Sequence, residues 1–188
     1  TAMNTIRNEA KSRGLTAPSY TAFVIRAAAQ TMAKHPEGNR AIIGPPLFKN
    51  LVQFENIDIG IAVERGLPSL PGQPYAAPIR NPLQRTLAEV TLELQTLANA
   101  NEANHSGFRQ YMRLLRWVPR PLSGWLLSHP SWFPKAWVKY RGCAAWVNSP
   151  ARHGADLVMS NWPWPITFAF GVVRERPIVV DGKVEARL

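Results

Sequence analysis

The chain holds a single cysteine, Cys143, in 188 residues, so no disulfide can close within it and nothing in its composition calls for an oxidising compartment. No apolar run is long enough to span a bilayer. The first residues show neither a basic flank before a long apolar stretch nor a small-residue cleavage site, so neither a leader nor an anchor is expected and the cytoplasm is the expected location. No cysteine pair or close histidine cluster has metal-ligand spacing, and no glycine-rich loop has Walker or dinucleotide form. Zinc chemistry and nucleotide hydrolysis are therefore not expected, and no metal is predicted. Cys143 and His153 could be paired as thiol and imidazole, but a lone cysteine reads more simply as a small core residue. No internal repeat is present.

Acidic residues are scarce in one place above all. From Ala103 to Ala155 there is no Asp or Glu, against eight cations: Arg109, Arg113, Arg116, Arg120, Lys135, Lys139, Arg141 and Arg152. Much of the net charge of +10 therefore sits in one segment. Tryptophan is concentrated there too, with Trp117, Trp125, Trp132, Trp137 and Trp146 inside it and Trp162 and Trp164 close behind. Interleaved Trp and Arg can stack on and neutralise nucleic acid, lie at a membrane interface, or attract a phosphate-rich small molecule such as coenzyme A. The plain structural alternative is that the rings are core and the cations a solvated face.

What remains is the content of one domain, 1–188, whose 46% hydrophobic residues suffice for a substantial core. Met3 to Ser12 reads as a helix stopped by Gly14. Ser19 or Thr21 caps a second helix, with Phe23, Val24, Ala27, Ala28 and Met32 on one side and Arg26, Gln30 and Lys34 on the other. Pro36 ends it, which leaves His35 at the C-terminal end as a cation favoured by the helix dipole. Ile57, Ile59, Ile61 and Val63 alternate with Asp58, Gly60, Ala62 and Glu64, the period of a strand. Tyr75 to Arg80 is a second short strand, and Thr86 with Glu89 forms a capping box for a helix that turns Leu87, Val90, Leu94 and Leu97 to the core. The stretch 99–107 reads as a flexible linker. A helix through Phe108, Met112 and Leu115 ends at Pro119, further strands follow at Ile166 to Val173 and Pro177 to Leu188, and Asp181-Gly182 makes a two-residue hairpin turn.

Four of these motifs, in order, carry a resemblance. The helix with Phe23-Val-Ile-Arg-Ala-Ala-Ala29, followed by Lys34-His-Pro-Glu37 and Asn39, resembles the catalytic domain of the dihydrolipoamide acyltransferases of 2-oxoacid dehydrogenase complexes. The preceding helix, the strand within 56–67, and Ser160-Asn161 are similar to their counterparts in that family. The resemblance implies an α/β fold, the chloramphenicol acetyltransferase-like two-layer sandwich of a mixed sheet packed with helices. It implies an acyltransferase that moves an acyl group between coenzyme A and a thiol or hydroxyl acceptor. Ser160 would then be catalytic, donating to the oxyanion, with Asn161 and Trp162 binding substrate; the plain reading of Ser160 is a strand-end serine satisfying backbone. A homotrimer with its site between subunits is implied, with membership of a larger enzyme complex as a further expectation. Coenzyme A becomes the preferred partner of the basic segment, which argues against nucleic acid and membrane.

Two departures qualify the expectation. The family's general base is a histidine in an Asp-His-Arg-x-x-Asp-Gly block, and residues 1–188 contain none; His35, His105, His129 and His153 all lie in other contexts. The chain is therefore expected to be part of a longer protein and to be inactive by itself. The long basic segment is similar to free-standing bacterial relatives without a lipoyl domain, which argues against a protein-bound lipoyl group as acyl carrier. A non-catalytic scaffold of the same fold is the rival expectation, and a basic Trp-rich binding module a third.

Overall fold

The structure, a computed structural model, describes residues 2–64, 74–119, 122, 129–156 and 164–187. Helix α1 (Ala2–Ser12) stops at Gly14, whose φ of +68° lets the amides of Gly14 and Leu15 turn back to the carbonyls of Lys11 and Ala10. Helix α2 (Tyr20–Lys34) starts at Ser19, whose Oγ accepts from the Ala22 amide at 3.1 Å. His35 caps its end.

The buried stripe of α2 differs from the expected one. Ala22, Ile25, Ala28, Ala29 and Met32 face the core, while Phe23 and Val24 are half-buried at its flank and Ala27 is exposed. The buried residues follow one another at intervals of three and four along one helical face, with Ile25 and Met32 as its bulky members, and Phe23, Val24 and Ala27 lie off that face. Arg26, expected on the solvent side, is half-buried instead; it donates to the carbonyls of Pro82, at 3.0 Å, and of Arg85, and so ties the turn before the next helix.

After α2 the chain forms a hairpin of β1 (Arg40–Ile43) and β2 (Asn50–Gln53), in register from Arg40 opposite Gln53 to Ile43 opposite Asn50. The main sheet has the order β4-β3-β5-β6. Its strands are β3 (Ile59–Glu64), β4 (Pro74–Ile79), β5 (Ala145–Asn148) and β6 (Ile166–Ala169). The first pair is antiparallel; β3, β5 and β6 run parallel. Helix α3 (Leu87–Ala98) begins with the capping box of Thr86 and Glu89 and packs beside α2 across β3 and β4. Helices α4 (Ser106–Trp117) and α5 (Pro134–Arg141) follow. A terminal hairpin joins β7 (Arg176–Val180) to β8 (Lys183–Arg187) through Asp181 and Gly182, both at positive φ, the two-residue turn expected.

The linker expected at 99–107 is instead an ordered turn. The Asn101 side chain accepts from the amides of Ala103 and Asn104, the Asn104 side chain accepts from the Asn101 amide, and Ala100 is buried. His105 then caps α4, its Nδ1 accepting from the Phe108 amide at 3.0 Å. The strand expected to reach Val173 leaves the ladder after Ala169: the Val172 amide bonds the Ala155 carbonyl at 3.0 Å, and a Cβ on Gly171 would lie 2.4 Å from the Asp156 carbonyl oxygen.

Two buried polar residues hold this frame together. Asp58 accepts from Arg80 Nη1 at 2.5 Å and from the Asn81 amide at 3.0 Å, while Arg80 Nη2 reaches the Lys139 carbonyl at 2.8 Å. The entry to β3, the exit of β4 and α5 are thereby joined. Asn39 donates to the carbonyls of Phe54 and Asn56, linking the end of α2 to the segment before β3. Between sheet and α5 lie three rings, with Trp146 and Trp164 4.0 Å apart between centroids and Trp137 6.1 Å from Trp164. Gly60 makes room for them, since a Cβ there would stand 2.6 Å from the Trp146 ring.

Candidate functional site

Parallel strands β3, β5 and β6 end on the same side of the sheet, and a cleft of about 770 Å³ opens there. That is where open α/β sheets bind their ligands. Its floor is Ile61, Ala62 and Val63 of β3 with Asn148 of β5 and Phe170 after β6. One wall is α3, through Thr91, Leu94, Gln95 and Ala98, and the other is the first turn of α2 with Arg7. Ser149, Pro150, Ala151, His153, Val172 and Val173 close the rim. The walls are anchored to each other, because the Ser19 amide donates to Thr91 Oγ1 at 3.0 Å and Thr91 in turn donates to the Leu87 carbonyl. Arg7 donates to the Pro18 carbonyl and stacks 4.3 Å over the Tyr20 ring, and Tyr20 bonds Asn4. The arrangement can hold an apolar chain along Val63, Leu94 and Phe170 with a polar end among Asn148, Ser149 and Gln95.

Ser160, Asn161 and Trp162, the site residues expected from sequence, lie outside the described residues. The residues on either side are anchored. Asp156 pairs with Arg174 and Arg176, each at 2.5 Å, and the Trp164 indole donates to the Arg141 carbonyl at 3.0 Å. Of the histidines, His35 is exposed 3.3 Å from Glu37 and His105 caps α4. His153 lines the cleft, a placement that no local pattern signalled. Cys143 is a core residue whose Sγ faces the Asn56 carbonyl at 3.0 Å, and burial pushes its thiol up to about 11, so it is a neutral thiol at physiological pH. Among the described residues no group of three or more His, Cys, Asp and Glu could hold a metal, and no helix is long and apolar enough to cross a membrane.

Six cations of the basic segment lie outside this cleft. Arg109, Arg113, Arg116, Lys135, Lys139 and Arg141 are all absent from its lining. Arg141 is consumed internally: it stacks near Trp137 and Trp164 and donates to Ser131, and burial lowers its pKa. Arg109, Arg113 and Arg116 instead line a separate shallow depression of about 470 Å³ with Glu102 and Trp117. The tryptophans divide accordingly, with Trp137, Trp146 and Trp164 in the core and Trp117 on the surface.

The fold, a mixed sheet backed by helices and open at the ends of its parallel strands, is of the chloramphenicol acetyltransferase-like acyltransferase class, as its likeness to solved cores of that class shows. Within it the chain belongs to the 2-oxoacid dehydrogenases acyltransferase (catalytic domain) family, whose family model matches residues 1–111. Solved structures agree on the fold. A probable dihydrolipoamide acetyltransferase from Listeria monocytogenes superposes with a TM-score of 0.65 at 21% identity, over 100% of this chain and 66% of that one. The dihydrolipoamide acetyltransferase of Azotobacter vinelandii gives 0.64 at 18% identity, over 100% and 64%. The cubic core of a pyruvate dehydrogenase multienzyme complex gives 0.62 at 18% identity, over 99% and 62%. The chain thus spans just under two thirds of the length of these relatives. No curated protein matches in sequence.

Proposed function

We propose that this domain belongs to an acyltransferase that moves an acyl group between coenzyme A and a thiol or hydroxyl acceptor. The observation that carries the reading is the cleft at the carboxyl ends of the parallel strands, in a chain whose family is that of the 2-oxoacid dehydrogenase acyltransferases. Its volume and apolar walls suit an acyl chain and the arm that carries it. In the proposed reaction a histidine acting as general base removes the acceptor's proton, the acceptor attacks the thioester carbonyl, and the Ser160 hydroxyl donates to the oxyanion. Collapse of the tetrahedral intermediate breaks the carbon–sulfur bond, and the leaving thiolate takes the proton back from the histidine. A serine and a histidine, with an asparagine, are the residues investigated in the catalytic mechanism of the Azotobacter vinelandii relative, which supports this assignment of roles. The test is transfer of an acyl group from acyl-coenzyme A to a dithiol by the full-length protein, followed as free coenzyme A.

The same reading includes a homotrimer, within or outside a larger complex. Its support is the family, the multienzyme core among the structural neighbours, and apolar surface on both hairpins: Ile42 and Leu51 on β1–β2, Val179 and Val184 on β7–β8. An isolated two-stranded ribbon is marginal in water and gains from a partner surface. Sedimentation of the full-length protein should give a trimer or a multiple of it at micromolar concentration. A monomer would remove this part of the reading.

A further inference from the structure

We propose that the outer face of α4 docks the domain on an anionic lipid surface. Arg109, Arg113 and Arg116 follow one another at intervals of four and three, so they form one row along the helix. Phe108, 2% exposed and edge-on to Tyr75, and Met112 turn the opposite side to the core, so the row points outward. Glu102 is the acid at this face among the described residues: its carboxylate pairs with Arg116 and its carbonyl accepts from Arg109 at 2.5 Å, which holds the two outer guanidinium groups in place. Arg113, between them, has no partner among the described residues, and the face keeps a net positive charge. Beside the row the Trp117 side chain is 85% exposed, and Leu122 beyond it is 52% exposed.

Cations in a row with an adjacent indole and aliphatic bulk match a bilayer surface, where anionic headgroups meet the edge of the hydrocarbon. Nucleic acid fits this face less well, because a single strand is held by successive rings and three of the tryptophans are spent in the core. Coenzyme A fits less well too, since the row shares no residue with the cleft.

The experiment is co-sedimentation of the full-length protein with phosphatidylcholine vesicles, with and without phosphatidylglycerol, alongside the double variant Arg113→Glu, Trp117→Ala. Both positions are exposed, and an unchanged thermal melting curve verifies the fold. The wild-type protein should partition onto phosphatidylglycerol vesicles, lose that binding as salt is raised, and bind roughly thirtyfold more tightly than the variant, given about a fivefold loss per unit of charge near the surface. No partition, equal partition onto neutral vesicles, or a variant that binds like wild type would overturn the proposal. So would tighter binding to single-stranded DNA or to coenzyme A than to the vesicles, with the same sensitivity to the variant.

Discussion

Ser160→Ala in the full-length protein is expected to lower kcat about a hundredfold or more while leaving the KM for acyl-coenzyme A little changed. A hydroxyl that donates to the oxyanion is engaged in the transition state and idle in the ground state, so its loss costs about 3 kcal/mol of the barrier and almost nothing in binding. The fold should survive. A variant with wild-type kcat would sink the role given to Ser160, and one that unfolds or changes oligomeric state would make the residue structural.

Asp58→Ala should be the most damaging single change in the described frame. The carboxylate is 5% exposed and meets Arg80 Nη1 and the Asn81 amide, so its removal strands two donors where three elements join. A fully buried pair broken from one side costs about 3–5 kcal/mol; Arg80 is 40% exposed, and its residual hydration reduces the expectation to about 2–3 kcal/mol. For a domain of this size that is a fall in Tm on the order of 6 °C. Asp58→Asn, which keeps an acceptor for the Asn81 amide, should lose less. Thermal unfolding decides between this account and one in which the pair is incidental: an Asp58→Ala protein that melts with wild type contradicts it.

Local chemistry was legible and distance was not. The capping box at Thr86, the stop at Gly14 and the turn at Asp181-Gly182 are written within a few residues of where they act, and each stands where the sequence puts it. The alternation from Ile57 to Glu64 marks β3, yet it assigns Asp58 to a polar face, because pairing with a residue from the end of the next strand is invisible to a period-2 pattern. The face of α2 is a related case: the expected stripe runs through Phe23, Val24 and Ala27, whereas burial follows Ala22, Ile25 and Ala29, a rotation that only the packed neighbours reveal. Hairpin β1–β2 and strand β5 carry too short a pattern to stand out. The asparagines at 99–104 suggest a linker by composition and build a turn by bonding each other. The cleft was the least legible feature. It draws on Arg7, Tyr20, Val63, Leu94, Asn148 and Phe170, which only the folded sheet brings together.

Acyl transfer is tested by the exchange of an acyl group between acyl-coenzyme A and a small dithiol. The full-length protein and residues 1–188 would be compared at equal concentration, with thioester product and free coenzyme A counted in the same samples. Equal amounts of thioester product and coenzyme A are expected from the full-length protein and none above background from residues 1–188, which hold Ser160 but not the family's histidine block. Full-length protein that assembles normally and yields no thioester would contradict acyl transfer, and would leave a scaffold of the same fold as the better reading.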